Sequence, residues 1–518
     1  MSEGIDELHA RYGRHYRALV TVTGMCASFT MVLMGTIVNV AVPNVMGAFG
    51  VGQDMAQFMA TAFIATMTAS QLLNAWFVGV FGSRGAFTIV LVIFAAGAII
   101  CATSPSLDFV ILGRMMQGFA AGVIQPLVMV TIIRVFPSDR RGVATSIYSV
   151  GLVLALGLGP VVGGVTIDLA GWRNIFWVPL PLVAFALIMG SFVMPTTRDE
   201  ARSRAFDFLG YTLLCVSLFC LMWGIANAQR YGWASNAIVG YLGVGLLAGI
   251  AFVRSQMRPG AALLDMSIIK NYRFAAACVV ATVYGIGNFS TTYAVPVFGQ
   301  LVQGLTPTKA GLLLLPASLG VVLALPLTGW LTDRVRADVL IFGGLMMFAL
   351  GVALLGGADV NTSFVYIAGV SMIARMGMAF VTPGLMTSAL NAAPENKLNA
   401  ASGTINFCRQ LGGAFGINTV VALMERRGEF HADALTGTQI ASNTSTEEYV
   451  RRASEVIAQA GHHEELSDLL ALEHLSRMIA SQATTMAFQD GFIVIALVFM
   501  LAMVPAWFMR RGQHRVAV

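Results

Sequence analysis

The sequence predicts an all-α polytopic membrane protein: fourteen transmembrane helices, arranged as two six-helix bundles plus two extra helices. Three observations carry that class. The 518 residues are 57% apolar and 11% charged, against roughly 45–50% and about 25% in soluble domains. Charge-free apolar runs of about 20 residues, the length of one helical crossing, recur between short polar breaks. The two halves also echo one another. A soluble enzyme is excluded by the composition. The basic balance, +5 overall, falls in short loops beside apolar runs, which is a topogenic pattern and not a nucleic-acid footprint.

The first run, 18–42, follows a polar N-terminus, 1–17, containing Arg11, Arg14 and Arg17. It is longer than a signal-peptide core and lacks the usual cleavage site, so it is expected to stay uncleaved. Runs at 56–80, 86–104, 109–134, 142–167 and 175–194 complete an N-terminal bundle, 18–194. Residues 195–272 combine basic linkers with two further runs, 208–228 and 235–253. The runs 274–300, 310–331, 339–357, 363–390, 399–423 and 489–509 form a C-terminal bundle, 273–509, followed by a tail, 510–518.

An even number of crossings puts both termini on one side. Most of the 31 Lys and Arg lie there, including Arg134, Arg140, Arg141, Arg510 and Arg511, so that side is expected to be cytoplasmic. Opposite it, one loop is long: 424–488, with His431, His462, His463 and His474. It is expected to be an extracytoplasmic, partly helical cap, with an amphipathic helix within Glu447–Met478 resting on the rim. His462 and His463 point apart on a helix, and no metal is expected. All six cysteines lie inside apolar runs without metal-type spacing and are expected to be free thiols.

The echo joins Ala75-Trp76-Phe77-Val78-Gly79-Val80, ending span 2, to Gly329-Trp330-Leu331-Thr332-Asp333-Arg334, ending span 10. Arg114-Met115-Met116 in span 4 likewise answers Arg375-Met376-Gly377 in span 12. Such repeats mark a duplicated transporter architecture.

No Asp, Glu or His occupies a span interior. Asp108, Asp168 and Asp490 sit at outer ends and are candidate proton sites, weighed against being solvated helix ends. Three arginines, Arg114, Arg375 and Arg409, do lie inside. A charge at mid-span costs about 2.5–3.5 kcal/mol on insertion scales, so it faces a cavity or a partner. The cavity is then formally cationic, suited to an anion or an acid-bearing amphiphile; the rival reading ties each arginine to backbone carbonyls. Polar stripes at helical spacing mark candidate lining positions. These are Thr36 and Asn39; Gln71 and Asn74; Arg114, Gln117 and Gln125; Tyr284, Asn288 and Thr292; Arg375; and Asn406 with Arg409. Each amide could instead join two helices by a hydrogen bond of about 0.6 kcal/mol. Gly157, Gly159, Pro160, Gly163 and Gly164 crowd span 5, where small residues allow close backbone approach.

Several segments carry a family resemblance. They include LMGTIVNVAVP (33–43), GRMMQGFAAG (113–122), GLGPVVGG (157–164), GWRNIFWVPLP (171–181), LLDMSIIKNYRF (263–274), GWLTDR (329–334) and NFCRQLGGAFG (406–416). In this order they resemble the fourteen-span drug:proton antiporter branch of the major facilitator superfamily, of EmrB-like type. The resemblance implies export of amphipathic small molecules across a bacterial inner membrane in exchange for protons. It also implies a hinge at the Gly157–Gly164 motif and a cytoplasmic gate at Arg84, Gly329, Asp333 and Arg334. Partners would be the small-molecule substrate, lipid, a periplasmic membrane-fusion adaptor and an outer-membrane channel, with no cofactor and no nucleic acid.

Two departures stand out. Met34 occupies the place of the family's span 1 aspartate, and Gly79-Val80 replaces Asp-Arg in the first gate copy. Met34 keeps a second reading open, a proton-uncoupled uniporter or anion exchanger. A membrane enzyme or receptor lacks a sequence signature: there is no phosphate loop, His-x-x-x-His pair or Ser-His-Asp grouping.

Overall fold

The computed structural model describes residues 5–137, 141–196, 206–257, 263–394, 397–440, 443–459 and 463–509. Those residues are almost entirely helical. The chain runs through α1 (Ile5–Tyr12), α2 (Tyr16–Ile37), α3 (Val42–Phe49), α4 (Gln53–Ala56), α5 (Phe58–Ala102), α6 (Leu107–Val135), α7 (Arg141–Ala170) and α8 (Leu180–Val193). Next come α9 (Phe208–Tyr231) and α10 (Asn236–Gln256). The second half holds α11 (Met266–Ile269), α12 (Tyr272–Leu301), α13 (Pro307–Leu312), α14 (Leu315–Arg334), α15 (Ala337–Leu355), α16 (Phe364–Asn391), α17 (Leu398–Gly437), α18 (Thr444–Gln459), α19 (Glu464–Leu501) and α20 (Met503–Met509).

Twelve segments among the described residues are long and apolar enough to cross a membrane. One of them contains α5, whose 45 residues would reach roughly 67 Å as one straight helix, about twice a bilayer core. It is broken at Gly82, whose φ of +71° an L side chain rarely adopts. The break turns the chain back, so this helix carries expected spans 2 and 3. Span 13 lies in α17, which is not among the twelve, because Asn406, Arg409, Gln410 and Asn418 dilute its apolar run. Fourteen crossings fit this arrangement, although length and composition alone mark twelve.

Peripheral side chains such as Leu169 (83% exposed), Val365 (78%) and Leu323 (77%) are apolar and outward-facing. In a membrane their solvent is hydrocarbon, so no exposed-surface penalty attaches to them. The interior is one large cluster spanning both halves, including Met34, Phe63, Phe298 and Phe348.

The extra pair sits at one flank. Leu214 and Leu218 of α9 pack with Ala69 of α5 and Phe407 of α17, so α9 fills the gap between the two bundles there. The Ser217 hydroxyl donates to the Gly245 carbonyl of α10 at 2.8 Å. Gln256 then fastens the following linker, donating to Asp207 Oδ2 (2.8 Å) and accepting from the Leu263 and Leu264 amides (2.6 and 3.1 Å). A Lys397–Asp265 ion pair of 2.7 Å ties that linker to the start of α17.

The polar insertion is more helical than the sequence suggests. α17 continues past residue 423 to Gly437, and the expected single amphipathic helix over Glu447–Met478 is two, α18 and the first part of α19. These form a hairpin, closed by Ser454 donating to Asp468 Oδ1 (2.5 Å) and by a hydrogen bond joining Tyr449 to His474 Nδ1. His462 lies outside the described residues.

The two bundles meet at the end where α2 finishes, here called the distal end. Asn39 donates to the Thr292 carbonyl (3.4 Å), and Gln300 donates to the Val40 carbonyl (2.9 Å). Close packing by small residues completes this seal.

Candidate functional site

Span 5's glycines bring the bundles into close contact. A Cβ on Gly157 would stand 2.2 Å from Ser318 Cβ, and one on Gly164 would stand 2.4 Å from the Pro307 carbonyl oxygen. Both partners belong to the second bundle. Gly159 and Gly163 face α2, against Thr36 Oγ1 (2.1 Å) and Ile37 Cγ1 (2.7 Å). Pro160 lacks the N–H of a helical residue, and its own carbonyl lies 2.2 Å from where a Cβ on Gly311 would sit. At the end of α7, Asp168 Oδ2 accepts from the Thr308 amide at 2.9 Å, a further link between bundles.

Arg114 is fully buried and folded into the first bundle. Its Nε donates to the Met59 carbonyl (2.8 Å), and its Nη1 donates to the Met34 carbonyl (3.1 Å) and to Gln117 Oε1 (2.8 Å). The guanidinium carbon lies 4.3 Å from the Phe63 ring centroid. Met34 thus meets the arginine with its backbone. Arg114 Nη2 and Gln117 Nε2 are buried without a partner.

Arg375 lies opposite, in the second bundle. It donates to Asn288 Oδ1, to the Asn288 carbonyl (3.2 Å) and to Thr292 Oγ1. Tyr284 belongs to the same wall, accepting a 3.1 Å hydrogen bond from Thr382. The Asn39–Thr292 contact joins this wall to the first bundle. Neither Arg114 nor Arg375 has a carboxylate beside it among the described residues.

The other expected lining positions are less connected. Gln71, Asn74, Gln125, Asn406 and Arg409 are half-buried. Gln71 Oε1, Asn74 Oδ1 and Asn39 Oδ1 are buried without a partner. The Gln125 carbonyl accepts from Tyr148 at 3.4 Å. The Arg409 carbonyl lies 1.8 Å from where a Cβ on Gly285 would stand, so that glycine allows α12 and α17 to touch backbone to backbone. Thr36 Oγ1 donates to the Leu33 carbonyl at 3.2 Å.

At the opposite, proximal end, Arg84 Nε donates to the Met194 carbonyl at the close of α8 (2.7 Å), and Arg334 stacks over Trp330 at 4.2 Å. The surroundings of Gly329 and the side chain of Asp333 lie outside the described structure. Among the carboxylates flagged from sequence, Asp108 is exposed in the first turn of α6. Asp490 is paired with Arg427 (2.5 Å) and His431 (2.7 Å).

Sequence reading missed Glu425. It lies two residues past the apolar run of span 13 and is counted there as loop. Because α17 continues, Glu425 is carried on a rigid helix into the seam between bundles, where its Oε1 accepts from the Asp54 amide at 2.6 Å. A helical phase continued beyond residue 423 would have placed it there.

Comparison with known proteins agrees with this architecture. The multidrug resistance protein Stp of Mycobacterium tuberculosis is 29% identical over 398 residues, 75% of this chain and 72% of Stp. The multidrug export protein EmrB of Haemophilus influenzae is 24% identical over 492 residues, 95% of each chain. The MFS-type transporter YhcA of Bacillus subtilis is 25% identical over 492 residues, 94% of this chain and 91% of YhcA. Among solved structures, a bacterial homolog of the human lysosomal transporter Spinster, in an inward-facing and unoccupied conformation, aligns with a TM-score of 0.62 at 14% identity. It covers 96% of this chain and 98% of that one. The pattern of one family matches residues 24–417, and by that match the chain belongs to the Major Facilitator Superfamily.

Proposed function

We propose that this chain is a secondary active exporter of amphipathic small molecules, working by alternating access, with both termini cytoplasmic in a bacterial inner membrane. The single observation that carries the site is the set of buried polar atoms left without partners: Asn39 Oδ1, Gln71 Oε1, Asn74 Oδ1, Arg114 Nη2 and Gln117 Nε2. Each such atom costs about 1–3 kcal/mol if it stays unpaired. Water or a transported molecule supplies the missing bonds. With the termini cytoplasmic, the distal end is the outer end, and the bundles are sealed on the outside.

Two guanidiniums without nearby carboxylates favour acid-bearing amphiphiles over lipophilic cations, since a bound cation would meet only positive charge. Exchange for protons is the coupling we assign, in keeping with relatives named for multidrug export and resistance. The α18–α19 hairpin is the surface we assign to a periplasmic adaptor. The hinge role of the Gly157–Gly164 motif and the gate role of Arg84, Asp333 and Arg334 belong to the same proposal.

Met34 favours a second reading, an uncoupled uniporter or anion exchanger, because span 1 holds no carboxylate. Purified protein in proteoliposomes with an internal pH-sensitive dye separates the two. Acidic, neutral and cationic amphiphiles are compared in the parent and in Arg375→Ala. Coupled export of acids predicts a proton signal with acidic compounds that falls at least tenfold in Arg375→Ala. Movement of acids with no proton signal supports the uncoupled reading. A response to cations alone overturns the anion assignment.

A further inference from the structure

Glu425 does not belong to the substrate path, and its surroundings are unlike those of a solvated helix end. It lines a cavity of about 410 Å³ at the distal end, between α4 of the first bundle, α9 of the extra pair, and α17 and α19 of the second bundle. A hydrogen bond to it reaches across the seam from the Asp54 backbone. The groups facing it are largely acidic or neutral. α4 contributes Asp54 and Gln53, and α17 itself contributes Glu429 one turn on. From α9 come Gln229, which donates to Glu429, and Arg230, whose guanidinium carbon lies 5.6 Å from the centroid of its neighbour Tyr231. α19 presents only neutral side chains there.

α12 supplies an independent sign of what the cavity is built to hold. Tyr293 is 1% exposed, and its hydroxyl lies beside Gln53, within the electrostatic reach of Glu425 and Asp54. The polar neighbour of that hydroxyl is the Gln53 side chain, and neither donates to a carboxylate among the described residues. The carboxyl is thus bordered from α12 and α4 by uncharged polar groups that make no hydrogen bond to it. Burial first, and the Asp54 charge second, push the Glu425 carboxyl up to about 8, with Glu429 adding to the shift and the Asp54 N–H opposing it.

We propose that Glu425 is a proton-binding latch of the outer gate: protonated from the outer solution, it closes onto the Asp54 backbone and seals the bundles, and ionised, it favours the hydrated open gate. This rests on the alternating-access and sidedness reading above and adds to it the residue whose protonation closes the outside. The proton exchanges with the outer solution alone, so the latch operates with or without coupled transport. The direction follows from linkage. A carboxyl held above its ordinary value of 4.5 in the closed state, and near that value when hydrated, makes closing take up a proton. Closure is then complete below the ordinary range and is lost as pH rises toward about 8.

The test places spin labels at Ala48 and Thr438, exposed at the distal end of either bundle. The background has the six native cysteines replaced and transport retained, and distances are measured in nanodiscs from pH 5 to 9. The parent is expected to show a short distance at pH 5 and a growing long population above it, by up to about tenfold in ratio per pH unit. Glu425→Gln, which keeps the acceptor oxygen and cannot ionise, stays short throughout. In Asp54→Asn the rise levels off at lower pH, because a charge that favours the protonated form is gone. Gly164→Leu, which drives a side chain into the Pro307 backbone, is the control for opening. If it lengthens the distance while pH has no effect, or if Glu425→Gln titrates like the parent, the latch is wrong and the rocking bundles stand. If neither Gly164→Leu nor pH moves the labels, both readings fall.

Discussion

Arg114 and Arg375 occupy answering places in the two halves, yet they are satisfied differently. Arg114 spends its donors on the Met34 and Met59 carbonyls and on Gln117, whereas Arg375 is held by the side chains of Asn288 and Thr292 and the Asn288 carbonyl. Carbonyls of packed helices move little, while an amide and a hydroxyl can change partner. Arg375 is therefore the arginine suited to meeting a ligand, and Arg114 the one suited to holding α2 and α5 together. Replacing Arg114 with Met strands two buried carbonyls and is expected to cost about 2–5 kcal/mol, read as a lower unfolding temperature in detergent. Arg375→Ala is expected to weaken transport of acidic amphiphiles at least tenfold with a smaller loss of stability. Met34→Asp tests the charge balance directly. A carboxylate at position 34, whose backbone carbonyl binds Arg114, is expected to shift preference from acidic toward cationic substrates in competition assays.

At the level of helices, the Gly157–Gly164 stretch was readable as a close-packing motif, but its partners were not. Sequence places it on span 5; only the assembled bundle shows Gly157 and Gly164 on Ser318 and Pro307, and Gly159 and Gly163 on α2. One helix thus packs against its own bundle and the opposite one within two turns. Gly157→Val is expected to loosen the distal seal and cut transport more than tenfold while leaving helix content unchanged, as checked by circular dichroism and liposome uptake. The apolar runs made the spans legible because hydrocarbon tolerates no other pattern. Ends were less legible: α5 hides two spans behind one turn at Gly82, and α17 outlasts its apolar run by some fourteen residues, to Gly437. That overrun is why Glu425 escaped notice. Composition marks where a helix leaves the lipid, and does not mark where it stops being a helix. That Asn288 and Thr292 share a helix face at i and i+4 followed from spacing, whereas their pairing with Arg375 is visible only in the assembled helices.

For the whole molecule, the α18–α19 hairpin and the α9–α10 pair are additions to two duplicated bundles. The hairpin stands clear of the candidate path, so replacing residues 440–463 by a short Gly-Ser linker is expected to leave liposome transport within about twofold of the parent. The same change is expected to abolish export across two membranes in cells if an adaptor docks there; full export by the shortened chain would remove the adaptor assignment. The seal that divides the bundles has one more property. Its bridges join a side chain to a backbone group, as in Asn39 to Thr292, Gln300 to Val40, Asp168 to Thr308 and Glu425 to Asp54. Among the described residues no ion pair crosses it. Parting two oppositely charged side chains is a step that dissolved salt assists by screening. A closure without such pairs leaves salt only the Asp54 and Glu429 charges around Glu425 to screen, so brackish surroundings should move the pH at which the gate opens and change the rest of the seal little.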